Sequence, residues 1–151
     1  ADMREYKVFF VKDYIADRKR ELGDSQKTYR MTFIEPFSMK YQREYMKKFY
    51  GEALVKGAAR RVQMLNYYIG QETNLPEFFQ YPRIIDQKTK LESIKRYSST
   101  HDSAMILRGI SGYAVLQDVT EECLNYLIAG ELLHIGRNTS FGFGKYHLYT
   151  K

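Results

Sequence analysis

Apolar and polar residues alternate with a recognisable period along several stretches of the chain, and each stretch predicts a strand or a helix. Residues 5–15 are rich in aromatic and β-branched side chains, which favours a strand, and the charged residues 17–24 that follow favour a loop. Residues 28–37 alternate between two faces and predict a second strand, which Pro36 ends or marks as a sheet edge.

Between residues 41 and 68 the apolar residues recur every three or four positions, which is the pattern of an amphipathic helix. These positions are Met46, Phe49, Ala53, Leu54, Ala58, Val62, Leu65 and Tyr68. The basic residues of the opposite face are Lys47, Lys48, Lys56, Arg60 and Arg61. They form either an ordinary solvated helix surface or a contact to a polyanion. Residues 71–82 contain Pro76 and Pro82 and predict a loop.

The second half of the chain predicts a hairpin, a helix and a closing strand. Residues 91–99 and 105–116 read as two strands joined by a polar turn at 99–103. Asp118 or Thr120 can cap the next helix, and Gly136 is a natural stop for it. The buried stripe of this helix would be Leu124, Leu127, Ile128, Leu132 and Ile135. Residues 141–149 predict the last strand.

From residue 28 onward the predicted order is β-α-β-β-α-β, the order of the ferredoxin-like fold. We therefore predict an α+β, ferredoxin-like and RRM-like domain over residues 28–151, with an additional N-terminal strand in front of it. Residues 1–27 would form that strand and a loop, and can be read as the tail of an upstream domain. Many unrelated functions share this order, so the function must be argued from particular residues.

Composition narrows the class of protein. The 151 residues suffice for one compact domain, and a net charge of +6 with a pI of about 9.3 favours polyanionic partners. The single Cys123 excludes an internal disulfide and, without a Cys/His cluster, argues against structural zinc, so we expect neither metal nor cofactor. No apolar run approaches the roughly 18 residues of a membrane span, and the first residues are not a signal peptide. We expect a cytoplasmic protein without membrane contact.

The most informative segment is residues 135–146, Ile-Gly-Arg-Asn-Thr-Ser-Phe-Gly-Phe-Gly-Lys-Tyr. Its glycines allow close approach of a ligand to the backbone, Arg137 and Lys145 can contact phosphates, and the Thr139 and Ser140 hydroxyls can hydrogen-bond them. The spacing fits neither a Walker loop nor a dinucleotide-binding GxGxxG loop. The same glycines could also simply permit tight packing or a bulge.

This loop, with the preceding residues 129–135, resembles the C-terminal glycine-rich signature of the CRISPR-associated repeat-processing endoribonucleases, a branch of the RAMP superfamily. Four further segments resemble the opening strand, the first helix and the paired central strands of that family. They are residues 33–40, 59–62, 96–98 and 107–112. The resemblance extends over about residues 28–149 in the family's order.

The resemblance implies a domain that binds CRISPR repeat RNA through the glycine loop and serves antiviral defence. It also implies metal-independent cleavage, in which a base activates the ribose 2′-hydroxyl. The implied RNA-binding residues are Gly136, Arg137, Asn138, Thr139, Ser140, Gly142, Gly144 and Lys145, together with Arg96, Tyr97 and Arg108. In typical members an upstream ferredoxin-like domain commonly supplies the catalytic histidine, and we expect this chain to lack that domain.

The three histidines and two of the tyrosines are candidates for different roles. His101 lies in the polar turn between basic strands and is the candidate catalytic base, although an ordinary turn residue fits the same position. His134 lies at a helix end, which indicates a structural role, whereas His147 fits RNA contact, core or surface. Tyr97 and Tyr146 are the candidates for stacking on bases.

Two other functions remain open from the sequence. The first is a non-catalytic RAMP subunit that holds CRISPR RNA inside an effector complex. The second is a ferredoxin-like ligand-sensing or oligomerisation domain whose basic face is incidental. The predicted partners are CRISPR repeat RNA and other CRISPR-associated proteins, and the sequence is compatible with a homodimer.

Overall fold

The computed structural model describes residues 3–23, 27–68, 70, 74–98 and 103–151. The elements are α1 (Met3–Leu22), β1 (Tyr29–Phe37), β2 (Lys40–Tyr41), β3 (Glu44–Tyr45), α2 (Gly51–Tyr68), β4 (Arg83–Ser98), β5 (Ser103–Gln117), α3 (Glu121–Leu133) and β6 (Tyr146–Thr150). A single 3₁₀ turn, Thr139–Phe141, lies between α3 and β6.

Four strands form one antiparallel sheet in the order β4-β5-β1-β6, and β2 pairs with β3 in a separate small hairpin. Strand β1 is central, so Tyr29 lies opposite both Leu116 of β5 and Thr150 of β6. From β1 onward the main elements alternate as β-α-β-β-α-β. The predicted α+β ferredoxin-like fold is therefore confirmed.

The core lies between one face of this sheet and the helices α2 and α3. Alternate residues of β1 are buried, as a strand with one covered face requires, and Met31 is fully enclosed. The Phe33 ring stacks on Phe49 with centroids 4.9 Å apart and packs at a tilt against Tyr146 at 5.3 Å. Leu54 of α2 and Leu127 of α3 complete the same buried cluster.

The predicted N-terminal strand and the loop after it are wrong, because the described residues from Met3 to Leu22 form helix α1. Aromatic and β-branched residues favoured a strand locally, but packing against α3 decides the conformation. Val11, Arg18 and Leu22 are buried at a helical spacing. Arg18 and Leu22 lie within residues 17–24, the charged segment that was predicted to be a loop.

The predicted helix over residues 41–68 begins ten residues late, at Gly51. Residues before it form the β2–β3 hairpin, and Met46 and Phe49 reach the core from an irregular segment. The side-chain amide of Gln87 holds this segment by accepting from Phe49 N at 2.8 Å and donating to Phe49 O at 3.2 Å. A Cβ on Gly51 would lie 2.0 Å from Pro82 O, so this close approach needs glycine.

Several predicted boundaries shift without changing the fold. The central strands are longer than predicted, and their turn lies outside the described residues. Thr120 caps α3 by accepting from Cys123 N, whereas the helix ends at Leu133 with His134, rather than Gly136, as its cap. The last strand begins only at Tyr146.

An ion pair covers the free edge of β6. The Arg18 guanidinium donates from Nε to Glu131 at 2.7 Å and from Nη2 to Leu148 O at 2.7 Å. Glu131 in turn accepts from Leu148 N at 2.7 Å and from the Tyr14 hydroxyl. Since both charged side chains are buried, this pair satisfies backbone groups that a neighbouring strand would otherwise bond.

None of the helices in the described part of the chain combines the length and the apolar character that crossing a membrane would require.

Candidate nucleic-acid interface

The glycine loop folds back onto the end of β1 and is held there by backbone hydrogen bonds. Gly144 N donates to Pro36 O at 2.7 Å, and Arg137 N donates to Ser38 O at 2.7 Å. Ile135 N closes the base of the loop by donating to Gly144 O at 3.2 Å. The loop is therefore a fixed part of the fold.

The glycines of this loop have two different physical roles. Gly144 has φ 81°, and a Cβ there would lie 1.8 Å from Ile135 O. Gly136 has φ 86°, and its Cβ would lie 2.4 Å from Ser38 O. Gly142 also has a positive φ, of 90°, but nothing lies within 4 Å of its Cβ position. Internal packing thus requires the first two, and only Gly142 leaves room for a ligand.

The polar side chains of the loop differ in their access to solvent. Arg137, Ser140 and Lys145 are exposed, whereas Asn138 and Thr139 are half-buried. Asn138 adopts a left-handed conformation with φ 63°, and its carbonyl accepts from two backbone N–H groups further along the loop. The loop can therefore offer two cations and a hydroxyl to a phosphate-bearing ligand.

Arg137 connects the glycine loop to the β2–β3 hairpin. Its guanidinium carbon lies 5.5 Å from the centroid of the Tyr45 ring, and Lys40 Nζ lies 5.1 Å from the same centroid. Both separations are within the range of cation–π attraction. The Tyr45 ring therefore lies close to one cation from the loop and one from the hairpin.

A groove of about 480 Å³ runs between this hairpin and strands β4 and β5. Its basic residues are Lys40, Arg43, Lys47 and Arg108, and its acidic residues are Glu44 and Glu92. Arg108, predicted from the sequence to bind RNA, thus shares a surface with hairpin cations that the sequence did not single out. The hairpin is therefore adjacent both to Arg137 of the loop, through Tyr45, and to Arg108 of β5, through this groove.

Arg96 and Tyr97 lie further out on the β4–β5 ribbon and do not line this groove. Ser93 is opposite Arg108, so Tyr97 is four residues beyond it, about 13 Å along the strand. The Tyr97 ring is 75% exposed, and Lys95 Nζ lies 5.6 Å from its centroid. His101, the candidate catalytic base, lies outside the described residues.

The other two histidines occupy different environments. His134 caps α3 with φ 64°, and its N–H donates to Gly130 O at 2.7 Å. Burial, with smaller contributions from Lys145 and Arg61, lowers the pKa of its imidazole. His147 belongs instead to the covered sheet edge, with Nδ1 3.4 Å from Glu131 and its ring packed edge-on against Tyr149.

The prediction that Tyr146 stacks on bases is wrong. Its ring is 1% exposed, and its hydroxyl donates to Leu127 O inside the core. Burial, and secondarily the charge of Glu131, raises the pKa of this phenol well above its ordinary range. The alternation of the last strand points Tyr146 inward, opposite to the neighbouring Lys145.

Sequence reasoning missed the tyrosines of the hairpin, Tyr41 and Tyr45. Their spacing of four residues also fits one face of a helix, so periodicity assigned them to the helix that follows. A signal was available in the sequence, because residues 40–48 are mostly polar and charged. In the structure only Met46 among these residues is buried.

Among the described residues no group of three or more His, Cys, Asp or Glu side chains is placed to hold a metal ion.

The fold and the sequence were compared with known proteins. The model of the family CRISPR-associated endoribonuclease Cas6 matches residues 31–146. A comparison with curated protein sequences found no match.

Solved structures share the fold at low sequence identity. A Cas6-RT-Cas1–Cas2 complex aligns with a TM-score of 0.64 and 17% identity, over 93% of this chain and 16% of that chain. A Cas6 product complex aligns with a TM-score of 0.55 and 14% identity, over 87% and 55%. Thermus thermophilus Cas6 aligns with a TM-score of 0.54 and 12% identity, over 87% and 57%.

The chain thus spans 16% to 57% of the length of these proteins. The structural likenesses show the fold, whereas the family match covers most of the chain, from the central strand to the glycine loop. On this evidence the chain belongs to the CRISPR-associated endoribonuclease Cas6 family.

Proposed function

We propose that the chain is the RNA-binding domain of a Cas6-type endoribonuclease that processes precursor CRISPR RNA, and that its glycine loop holds the repeat RNA. The observation that carries this proposal is the meeting of cations from three separate segments. Arg137 of the loop lies against Tyr45 of the hairpin, and hairpin residues share a groove with Arg108. Phosphate contacts from separate segments fix the path of a polyanionic chain.

Strand cleavage is proposed for the longer protein. The chemistry would be metal-independent attack of the ribose 2′-hydroxyl on the adjacent phosphodiester, with RNA and other CRISPR-associated proteins as partners. His101 is the proposed base within this chain. Cleavage of labelled repeat RNA in EDTA that is lost in His101→Ala would support this role, and unchanged cleavage in that variant would remove it.

The binding proposal is tested by removing the two loop cations together, in Arg137→Ala with Lys145→Ala. We expect RNA affinity to fall several-fold at moderate salt. If each residue neutralises one phosphate of a single strand, the slope of log affinity against log salt should become shallower by about 1.4. Fluorescence anisotropy over a salt series measures both quantities.

A matched control removes the same charge elsewhere. Lys12 and Arg20 are exposed on α1, outside the matched family segment, so Lys12→Ala with Arg20→Ala should leave the salt slope nearly unchanged. An equal loss of RNA affinity in both double variants would show that the net charge alone attracts the RNA. Unchanged binding in the loop variant would overturn the assignment of the glycine loop.

A further inference from the structure

Tyr41 of the β2–β3 hairpin and Tyr50, between β3 and α2, form an exposed aromatic cluster that the glycine-loop proposal does not use. The rings of Tyr41 and Tyr50 stack with centroids 5.1 Å apart and planes 24° apart. They are 36% and 37% exposed, and the nearby Tyr45 is 45% exposed. Tyr41 and Tyr50 form one exposed stacked pair, whereas Tyr45 shares the face of its cross-strand partner Lys40 rather than that of Tyr41.

Cations surround these rings. Lys48 Nζ lies 5.2 Å from the Tyr50 centroid, and Tyr45 has Lys40 and Arg137 near its ring. Lys47 and Lys48 line a groove of about 470 Å³ together with the three tyrosines, and Glu44 is its acidic residue. Rings that alternate with cations are the arrangement that binds single-stranded nucleic acid, since bases stack on rings while cations hold phosphates.

The turn of the hairpin supports a role for its side chains. Tyr41 pairs with Glu44, so Gln42 and Arg43 form a two-residue turn, and both have positive φ, 53° and 72°. Such turns favour Asn-Gly because left-handed backbone strains residues that carry a longer side chain. The Gln42-Arg43 turn is therefore less stable than an Asn-Gly turn would be, and it places a cation at the tip of the hairpin. Strained backbone of this kind is concentrated at functional sites.

The chemistry of the cluster selects unpaired over paired RNA. In a duplex the faces of the bases are covered by their neighbours in the stack, so a tyrosine ring finds no free face. In a single strand every base offers one. The Tyr41–Tyr50 pair would be extended by a stacked base, with the phosphates on either side near the hairpin cations.

We propose that the β2–β3 hairpin and Tyr50 after it bind an unpaired stretch of RNA, with bases stacked on Tyr41 and Tyr50 and phosphates held by Lys48 beside these rings and by Arg43 at the tip of the hairpin. This inference rests on the proposed function for RNA as the ligand, and it adds a second contact region and a preference for single strands. Glycine-loop cations and hairpin rings then make separable contributions to binding.

The test compares Tyr41→Leu with Tyr50→Leu in one chain against wild type. The probes are a single-stranded oligouridylate and an RNA duplex of equal length, followed by anisotropy. We expect about tenfold weaker binding to the single strand, less than twofold change for the duplex, and an unchanged salt slope because no charge is lost. Phe79→Leu, at a ring that is 97% exposed elsewhere, is the control and should bind as wild type does.

A second variant separates binding from folding. Gln42→Asn with Arg43→Gly fits the turn better, so we expect an unchanged or higher denaturation midpoint together with weaker RNA binding and a salt slope shallower by about 0.7. Wild-type affinity in this variant would exclude a phosphate contact by Arg43.

The outcomes distinguish the two proposals. Unchanged single-strand binding in the tyrosine variant, with weakened binding in Arg137→Ala with Lys145→Ala, overturns the hairpin inference alone. Equal weakening of single strand and duplex overturns the preference for unpaired RNA. A wild-type chain that binds neither probe at low salt overturns both proposals.

Discussion

Substitutions in the Arg18–Glu131 ion pair at the edge of β6 test how helix α1 is attached to the rest of the domain. Two donors reach each carboxylate oxygen of Glu131. Tyr14 Oη and Arg18 Nε donate to Oε1, and Leu148 N and Arg18 Nη2 donate to Oε2. In Glu131→Gln the NH₂ group faces either Leu148 N and Arg18 Nη2, or Arg18 Nε and the Tyr14 hydroxyl, and of these four groups only the hydroxyl can accept from it. The substitution therefore removes the charge and one or two hydrogen bonds while keeping the shape.

The expected cost follows from this geometry. Removing one member of a buried ion pair costs about 3–5 kcal/mol, because the remaining charge stays buried without a partner. We expect about 3 kcal/mol for Glu131→Gln, which still accepts on one side, and up to about 5 kcal/mol for Glu131→Ala. For a chain of this length such losses correspond to a fall in Tm of roughly 6–20 °C.

Replacing both partners tests the role of the strand edge. Apolar replacement of a buried pair is often neutral or stabilising. In Arg18→Met with Glu131→Leu, however, the N–H and carbonyl of Leu148 lose their partners. Each unsatisfied buried group costs about 1–3 kcal/mol, so with two such groups the double variant should remain about 2–6 kcal/mol less stable than wild type.

Urea unfolding followed by circular dichroism measures these differences, with constant m-values as the check of two-state behaviour. Arg20→Ala is the control, because its pair with Asp17 is exposed and should contribute less than about 0.5 kcal/mol. A loss below about 1 kcal/mol for Glu131→Gln, or full stability in the double apolar variant, would refute the assignment of this pair as the cover of the sheet edge.

Two further predictions concern the glycine loop. Gly144→Ala should lower the free energy of unfolding by several kcal/mol or prevent folding, since its Cβ would collide with Ile135 O. Gly142→Ala should lower it by about 1–2 kcal/mol, from backbone strain alone. Thermal unfolding of the two variants measures this difference. Burial lowers the pKa of His134, so the unfolded chain binds that proton more readily, and stability should fall as the pH drops below about 6.5. His134→Gln should flatten this dependence in urea titrations between pH 5 and about 8, and an unchanged slope would contradict it.

The sequence predicted those elements whose local pattern and tertiary environment agree. Strand β1 alternates from Tyr29 to Phe33, where one face is covered, and a bulge between Phe33 and Phe37 ends the alternation. Helix α3 has the predicted Thr120 cap and buries Leu124, Leu127 and Ile128, whereas Leu132 of the predicted stripe is 40% exposed. The glycine loop was identified by its residues, and the arrangement of Arg137 and Lys145 on one exposed segment followed from it. In β1 and α3 short-range physics is sufficient, whereas the glycine loop was assigned to RNA binding through its resemblance to a family signature.

The sequence failed where distant contacts decide. Residues of α1 have strand propensity, and their helical conformation depends on Arg18 reaching a carboxylate 113 positions away in the chain. The β2–β3 hairpin looks like the first turns of α2 until Gln87 fixes Phe49 from the neighbouring strand. Neither partner is visible in a window of ten or fifteen residues, so the hairpin tyrosines could not be placed on a surface from the sequence.

The glycines of the family signature now have a more exact physical role than close approach to a ligand. Two of them are required because the loop presses against its own chain at Ile135 O and Ser38 O. That contact sets the position of Arg137, whose side chain then reaches Tyr45 across to the hairpin. In the proposed function this packing also matters for RNA binding, because it determines where Arg137 lies relative to the hairpin. The residues that discriminate between RNAs should therefore be sought among the side chains that this packing positions, and least of all among the glycines themselves.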